Sequence, residues 1–158
     1  MTISHRILPI AFGALTLSLA VAACGGSAGS GSTGGAAAGG ASQASVQTAS
    51  LTPGKALVDG NGRALYMFAK DTGSSSTCTG ACAAVWSPLL STGTPAAGNG
   101  VDATLLGSTH RTDGGTQVTY HGHPLYLFVD DKAAGQSAGQ GLNEFGGLWY
   151  VLSPSGNK

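Results

Sequence analysis

Leu65-Tyr66-Met67-Phe68-Ala69-Lys70-Asp71 and Leu125-Tyr126-Leu127-Phe128-Val129-Asp130-Asp131 are the same phrase written twice, sixty residues apart. The same offset sets Val58 on Val118 and Gly62 on Gly122, and an offset of sixty-three sets Trp86 on Trp149. Self-similarity at a fixed period marks a repeated structural unit. Leu65 and Met67 fall on one face of an extended strand, Tyr66 and Phe68 on the other. Large apolar residues on both faces imply a strand covered on both sides.

Outward from these strands the pattern stays β. Ala56-Leu57-Val58, then Asp59-Gly60-Asn61-Gly62, then Arg63 to Phe68 is strand, turn, strand, with Gly and Asn supplying the positive φ of a tight turn. The second copy gives Thr116 to Tyr120, a turn at His121-Gly122-His123, then Leu125 to Val129. Further short strands are expected at 46–50, 84–90, 104–110 and 148–152. No amphipathic helical stretch of length stands out in this part of the chain. The expected fold is all-β: one compact two-repeat domain over 46–158 (46–100 and 101–158). About eight short antiparallel strands would form a sandwich or barrel-like body with a pseudo-two-fold axis.

The N-terminal third is different. Ile7 to Ala23 is an apolar run, closed by Leu19-Ala20-Val21-Ala22-Ala23-Cys24-Gly25. Small residues directly before a cysteine resemble the lipobox of bacterial lipoproteins. The resemblance implies a signal peptide over 1–23, cleavage before Cys24 and a diacylglycerol lipid on that thiol. Residues 25–45 hold only Gly, Ala, Ser, Thr and Gln. With 24 they form the expected linker, a flexible coil reaching roughly 25 Å. The expected location is the extracytoplasmic face of a bacterial membrane.

The pattern Tyr-x-Phe-x-x-Asp occurs at Tyr66, Phe68, Asp71 and again at Tyr126, Phe128, Asp131. Together with Cys78-Thr79-Gly80-Ala81-Cys82, Trp86-Ser87-Pro88 and Gly141 to Tyr150, it resembles the bacterial secreted-repeat lipoproteins with a Tyr-x-(Phe/Trp/Tyr)-x-x-Asp motif. That family has no established general activity. Physically, Tyr and Phe two apart share a strand face and bury large area. The Asp three residues after Phe sits where the strand ends, placed to cap a loop by accepting backbone N–H bonds in an Asx-type turn. The functional alternative makes Asp71 and Asp131 ligand or metal contacts.

Composition narrows the function classes. Seven basic and seven acidic residues in 158 give net charge +0, with 42% apolar content and mean hydropathy +0.15. No basic cluster exists for nucleic acid, and the chain is too apolar to be wholly disordered. Cys78 and Cys82 form an even pair which, outside the cytoplasm, is expected to be a disulfide. Its short loop stabilises by roughly 2 kcal/mol in loop-closure arithmetic. The alternative is a redox or metal site, since Cys-x-x-x-Cys with a distant His occurs in copper-delivery proteins of thioredoxin-like fold. His110, His121 and His123 are candidate metal ligands, His121 and His123 sharing a face if extended. Solvated turn histidines are the other reading. Asp130, Asp131, Asn143 and Glu144, in the long loop 131–147, are oxygen donors without EF-hand spacing. That loop is otherwise a binding lip or a plain connection. No hydrolase, zincin or phosphate-loop motif occurs, so no catalytic residue and no cofactor are expected. The reading is a non-catalytic binding or structural module whose partner is an envelope protein or small ligand. Its rival is a metal or electron-transfer accessory using His121/His123 or Cys78/Cys82.

Overall fold

A computed structural model of the chain describes residues 42–158. The expected signal peptide, Cys24 and the linker to residue 41 lie outside the described residues. Strands β1 (Ser45–Leu51) and β2 (Gly54–Asp59) form a hairpin, followed by the motif strand β3 (Tyr66–Phe68), a short helix α1 (Ala81–Val85), β4 (Trp86–Pro88) and β5 (Ala96–Ala97). The second half repeats the order: hairpin β6 (Leu106–His110) and β7 (Thr116–Tyr120), β8 (His123–Pro124), motif strand β9 (Tyr126–Phe128), β10 (Asn143–Glu144) and β11 (Gly147–Val151). The all-β expectation holds, with eleven strands in place of about eight; β5, β8 and β10 have two residues each and carry no periodic signal.

The central sheet has the order β10-β11-β3-β9-β4 and curls into a half-barrel, flanked by three-stranded sheets β2-β1-β5 and β6-β7-β8. Its register explains the duplication. Tyr66 faces Tyr126 where β3 meets β9, so the pseudo-two-fold axis passes between the two motif tyrosines. Outside them, repeat two's β11 pairs with repeat one's β3 (Trp149↔Phe68, Val151↔Tyr66). Repeat one's β4 pairs with repeat two's β9 in the same way (Trp86↔Phe128, Pro88↔Tyr126). Each repeat gives the strand that carries its tryptophan to the other.

Both faces of the motif strands are covered, as the apolar pattern requires. Tyr66, Phe68, Tyr126, Phe128, Trp86 and Trp149 share one buried cluster with Val58 and the cysteines. Leu65, Met67 and Leu125 belong to a second cluster with Leu57, Val118, Tyr120 and Leu152.

Two expectations are corrected. The ungapped offset equates Val58 with Val118, but Leu57 holds Val118's place. Leu57 N–H donates to Leu152 O and its carbonyl accepts from Leu65 N–H, while Val118 N–H donates to Leu89 O and its carbonyl accepts from Leu125 N–H. The hairpin turn of repeat two is one residue longer, and the following connection one shorter, so the slip cancels before the motif. Second, the expected linker ends too late. Ala44 is buried, its N–H donates to Ser91 Oγ at 3.0 Å, and Gln43 Nε2 donates to Thr94 O at 2.6 Å. Its last residues are taken up because the segment before β5 offers them partners.

Candidate functional site

The signature residues meet in reciprocal pairs. Tyr66 OH donates to Asp131 Oδ2 at 2.6 Å, and Tyr126 OH donates to Asp71 Oδ2 at 2.6 Å. The tyrosine of each repeat is bonded to the aspartate of the other. Each aspartate's second oxygen holds its own loop: Asp71 Oδ1 accepts from Thr77 N–H and Oγ1, both at 2.7 Å, and Asp131 Oδ1 accepts from Ala138 N–H at 2.8 Å. The two aspartates cap their loops as expected, but not in the Asx-type turn the sequence suggested: the bonds reach six and seven positions on, because each loop folds back over the strand end. Burial, then the hydrogen bond to Asp131, raises the Tyr66 phenol well above its ordinary value; burial, then the bond to Asp71, does the same for Tyr126. Both phenols stay protonated, and their short bonds to carboxylates are of the stronger, charge-assisted kind.

Behind the pairs lies a four-ring stack. Phe68 lies on Trp149 (centroids 4.1 Å apart, 9° between planes), Trp149 on Trp86 (3.9 Å, 4°) and Trp86 on Phe128 (4.3 Å, 27°). Tyr66 and Tyr126 meet Trp86 and Trp149 edge-on, at 5.2 and 5.1 Å. β11 and β4, on either side of the two motif strands, bring Trp149 and Trp86 together across the axis. Gly139 is obligatory here, since a Cβ on it would lie 2.6 Å from the Trp86 ring and 3.0 Å from Tyr66. Glu144 closes the stack: its Oε2 accepts from Trp86 Nε1 at 2.9 Å and its carbonyl from Trp149 Nε1 at 3.3 Å.

That role bears on the loop's oxygen donors. Glu144 and Asp131 are both engaged with ring N–H, phenol and backbone, while Asp130 lies 3.6 Å from exposed Lys132. The histidines do not converge either. His110 pairs with Thr116 at one end of the β6–β7 hairpin, and His121 follows β7 at the other, with φ of 49° in a turn. His123 is held below its ordinary value, first by burial and then by His121. Among the described residues no cluster of three or more His, Cys, Asp and Glu is placed to hold a metal. Cys78 and Cys82 are joined in a disulfide (Cα–Cα 5.2 Å), buried against the aromatic cluster.

A family model described as a secreted repeat of unknown function matches residues 47–90 and 107–153, one match per repeat. The chain belongs to this family. Neither the curated proteins nor the solved structures contain a match. In this secreted-repeat protein the two matched segments share a signature but not every contact, and Arg111 is the largest departure. It is 7% exposed; its guanidinium donates to Ser76 Oγ, Gln117 Oε1 and Cys78 O, each at 2.7 Å, and forms an ion pair with Asp113. It bolts the β6–β7 hairpin to the disulfide loop of repeat one. Arg111→Met keeps the apolar stem and strands these acceptors, so urea unfolding is expected to show a loss of about 2–3 kcal/mol. A change under about 0.5 kcal/mol, the scale of an ordinary surface substitution, would show the network to be incidental. Arg111 and Gln117 were not legible as site residues, and Glu144 was singled out only as an oxygen donor: a lone polar residue in sequence does not name its partners.

Proposed function

We propose that this secreted-repeat protein is a lipid-anchored, extracytoplasmic lipoprotein whose β body is a non-catalytic binding module. The observation carrying this reading is the use of the signature itself. Tyr66, Tyr126, Asp71 and Asp131 all bond across or within the repeats. Residues so engaged make a rigid scaffold, and rigid scaffolds present ligands on their loops. The anchor is diacylglycerol on Cys24, supported by Ala22-Ala23-Cys24-Gly25 after the apolar run and by the Gly/Ala/Ser tether that follows. Six basic against seven acidic residues after Cys24 give no electrostatic hold on an anionic membrane, which leaves the lipid to do it.

Cys24→Ser tests the anchor. In cells fed a labelled fatty acid, the wild type is expected in the membrane fraction with label. The variant should carry none, and be released or retained as unprocessed precursor. Label persisting on the variant would overturn the assignment of Cys24.

A further inference from the structure

At the hairpin corner facing the loop after each motif aspartate, the two repeats differ where the fold does not require it. Thr48↔Leu57 in the first hairpin corresponds to Ser108↔Val118 in the second, so Leu51 occupies the position of Arg111 and Ala56 that of Gln117. By the matching carboxylate bonds, Thr77 corresponds to Ala138, and therefore Ser76 to Ser137. In one half, Arg111 crosses from the hairpin turn and fills the space against Ser76 and Cys78. In the other half Leu51 is too short to cross. An open groove of about 490 Å³ remains between Thr52-Pro53 on one wall and Gly135, Gln136, Ser137, Ala138 and Gln140 on the other. Its volume lies in the range of small-molecule sites.

The loop wall is fixed in place. Gly135 N–H donates to Gly62 O at 3.1 Å, Ala138 N–H to Asp131 Oδ1 at 2.8 Å and Gly139 N–H to Tyr66 OH at 3.2 Å. The two carboxamides are oriented as well. Gln136 Oε1 accepts from Ala133 N–H at 2.8 Å, and Gln140 Oε1 from Val151 N–H at 2.7 Å. With both oxygens occupied, the two amide NH2 groups have no partner among the described residues and remain as donors, beside the Ser137 and Thr52 hydroxyls.

We propose that this groove binds an uncharged glycan, and so supplies the ligand class of the binding module proposed above. No ionisable side chain lines it, so a charged ligand would be desolvated there without a counter-charge. Pro53 and Ala138 give small apolar surfaces suited to the C–H face of a sugar ring, while the carboxamides and hydroxyls meet its oxygens. A peptide is the weaker fit, because the walls have no deep apolar pocket for a side chain and no strand edge to extend.

The molecule's own second half suggests the test. The full chain, purified in detergent, is titrated calorimetrically with β-1,4-linked tri-N-acetylglucosamine, linear polyphosphate and a neutral Ala/Ser peptide. The trisaccharide is expected to bind, and the other two not. Leu51→Arg with Pro53→Asp and Ala56→Gln rebuilds the Arg111 plug and should abolish binding. Gln136→Glu with Gln140→Glu keeps both pinning oxygens, replaces the donors by acceptors, and should weaken binding at least tenfold. Thermal unfolding of both variants checks that the fold is kept, and the second stands if the first does not fold. Unchanged trisaccharide affinity in a folded variant overturns the groove as the site. No trisaccharide binding by wild type overturns the glycan. Polyphosphate or peptide binding in its place overturns the glycan while leaving the binding-module reading intact.

Discussion

Separated into residues 42–100 and 101–158, the protein is expected to lose its fold in both halves and to regain it when they are mixed. The reason lies in the central sheet. β3 has no neighbour from its own repeat, being paired with β11 and β9; β4 is paired only with β9. Cutting the chain between the repeats leaves each motif strand with no ladder partner, and both Tyr–Asp bonds lose a member. It also divides the ring stack, leaving Phe68 and Trp86 in one half and Trp149 and Phe128 in the other. Each fragment, under 60 residues, would have to bury large aromatic area alone, at a length where single cores are marginal. Each half carries one tryptophan. Expected for each half alone are red-shifted tryptophan emission and non-cooperative urea unfolding. The mixture should recover blue-shifted emission and a single transition. A separate half that unfolds cooperatively would show the repeats to be independent domains, and the exchanged strands incidental.

How much of this was legible depended on whether the signal was local. The offset that superposes Leu65 to Asp71 on Leu125 to Asp131 gave the duplication, and apolar residues on both faces gave the double burial. The same phrase could not say that Tyr66 bonds Asp131 and not Asp71, because an internal pairing and an exchanged pairing have identical sequences. The one-residue slip at Leu57 and Val118 was hidden for a related reason: valine and leucine are interchangeable to an alignment, and only the backbone bonds tell them apart. Glu144 could be read only as an oxygen donor in a lip or plain loop, because a lone carboxylate in a long loop usually faces water; the tryptophan N–H it accepts lies 58 residues away. The Cys78–Cys82 bridge was readable because compartment and count suffice for an even pair.

Duplication also gives an internal reference for what each substitution did. Leu51 and Ala56 keep one hairpin corner apolar, where Arg111 and Gln117 make the other polar and bonded. The staple follows the same asymmetry, since Cys78 and Cys82 have no counterpart after Asp131. Disulfide and guanidinium thus fix the same loop of repeat one, while the equivalent loop of repeat two has neither and is held by hydrogen bonds to Asp131, Tyr66, Gly62 and the Gln136 and Gln140 carboxamides. One end of the pseudo-two-fold body is locked, and the other carries an open groove framed by amides. A scaffold fixed at one end leaves its other end free to specialise.

Alkaline pH is expected to dismantle the fold through the two motif tyrosines. Both phenols are raised above the ordinary value of 10.0, by burial first and then by the carboxylate each faces. The unfolded chain releases these protons near pH 10, whereas the folded protein keeps them. Above that pH the unfolded state therefore binds fewer protons, and stability falls as pH rises; below it the contribution is fully present. The slope is about 1.4 kcal/mol per pH unit for each tyrosine, or about 5 kcal/mol for the pair by pH 12. That is comparable to the whole stability of a small domain. The share of the tyrosinate absorbance due to Tyr66 and Tyr126, taken as the difference from Tyr66→Phe/Tyr126→Phe, should therefore rise in one step coincident with loss of the tryptophan signal, not as a gradual titration of a folded protein. Tyr66→Phe removes one of the two protons, and urea midpoints between about pH 10 and 12 should fall half as steeply in that variant as in the wild type, after the contribution of the remaining tyrosines is subtracted using Tyr66→Phe/Tyr126→Phe. Equal slopes in all three proteins would mean that these phenols ionise freely in the folded state, and that the exchanged Tyr–Asp bonds do not hold the repeats together.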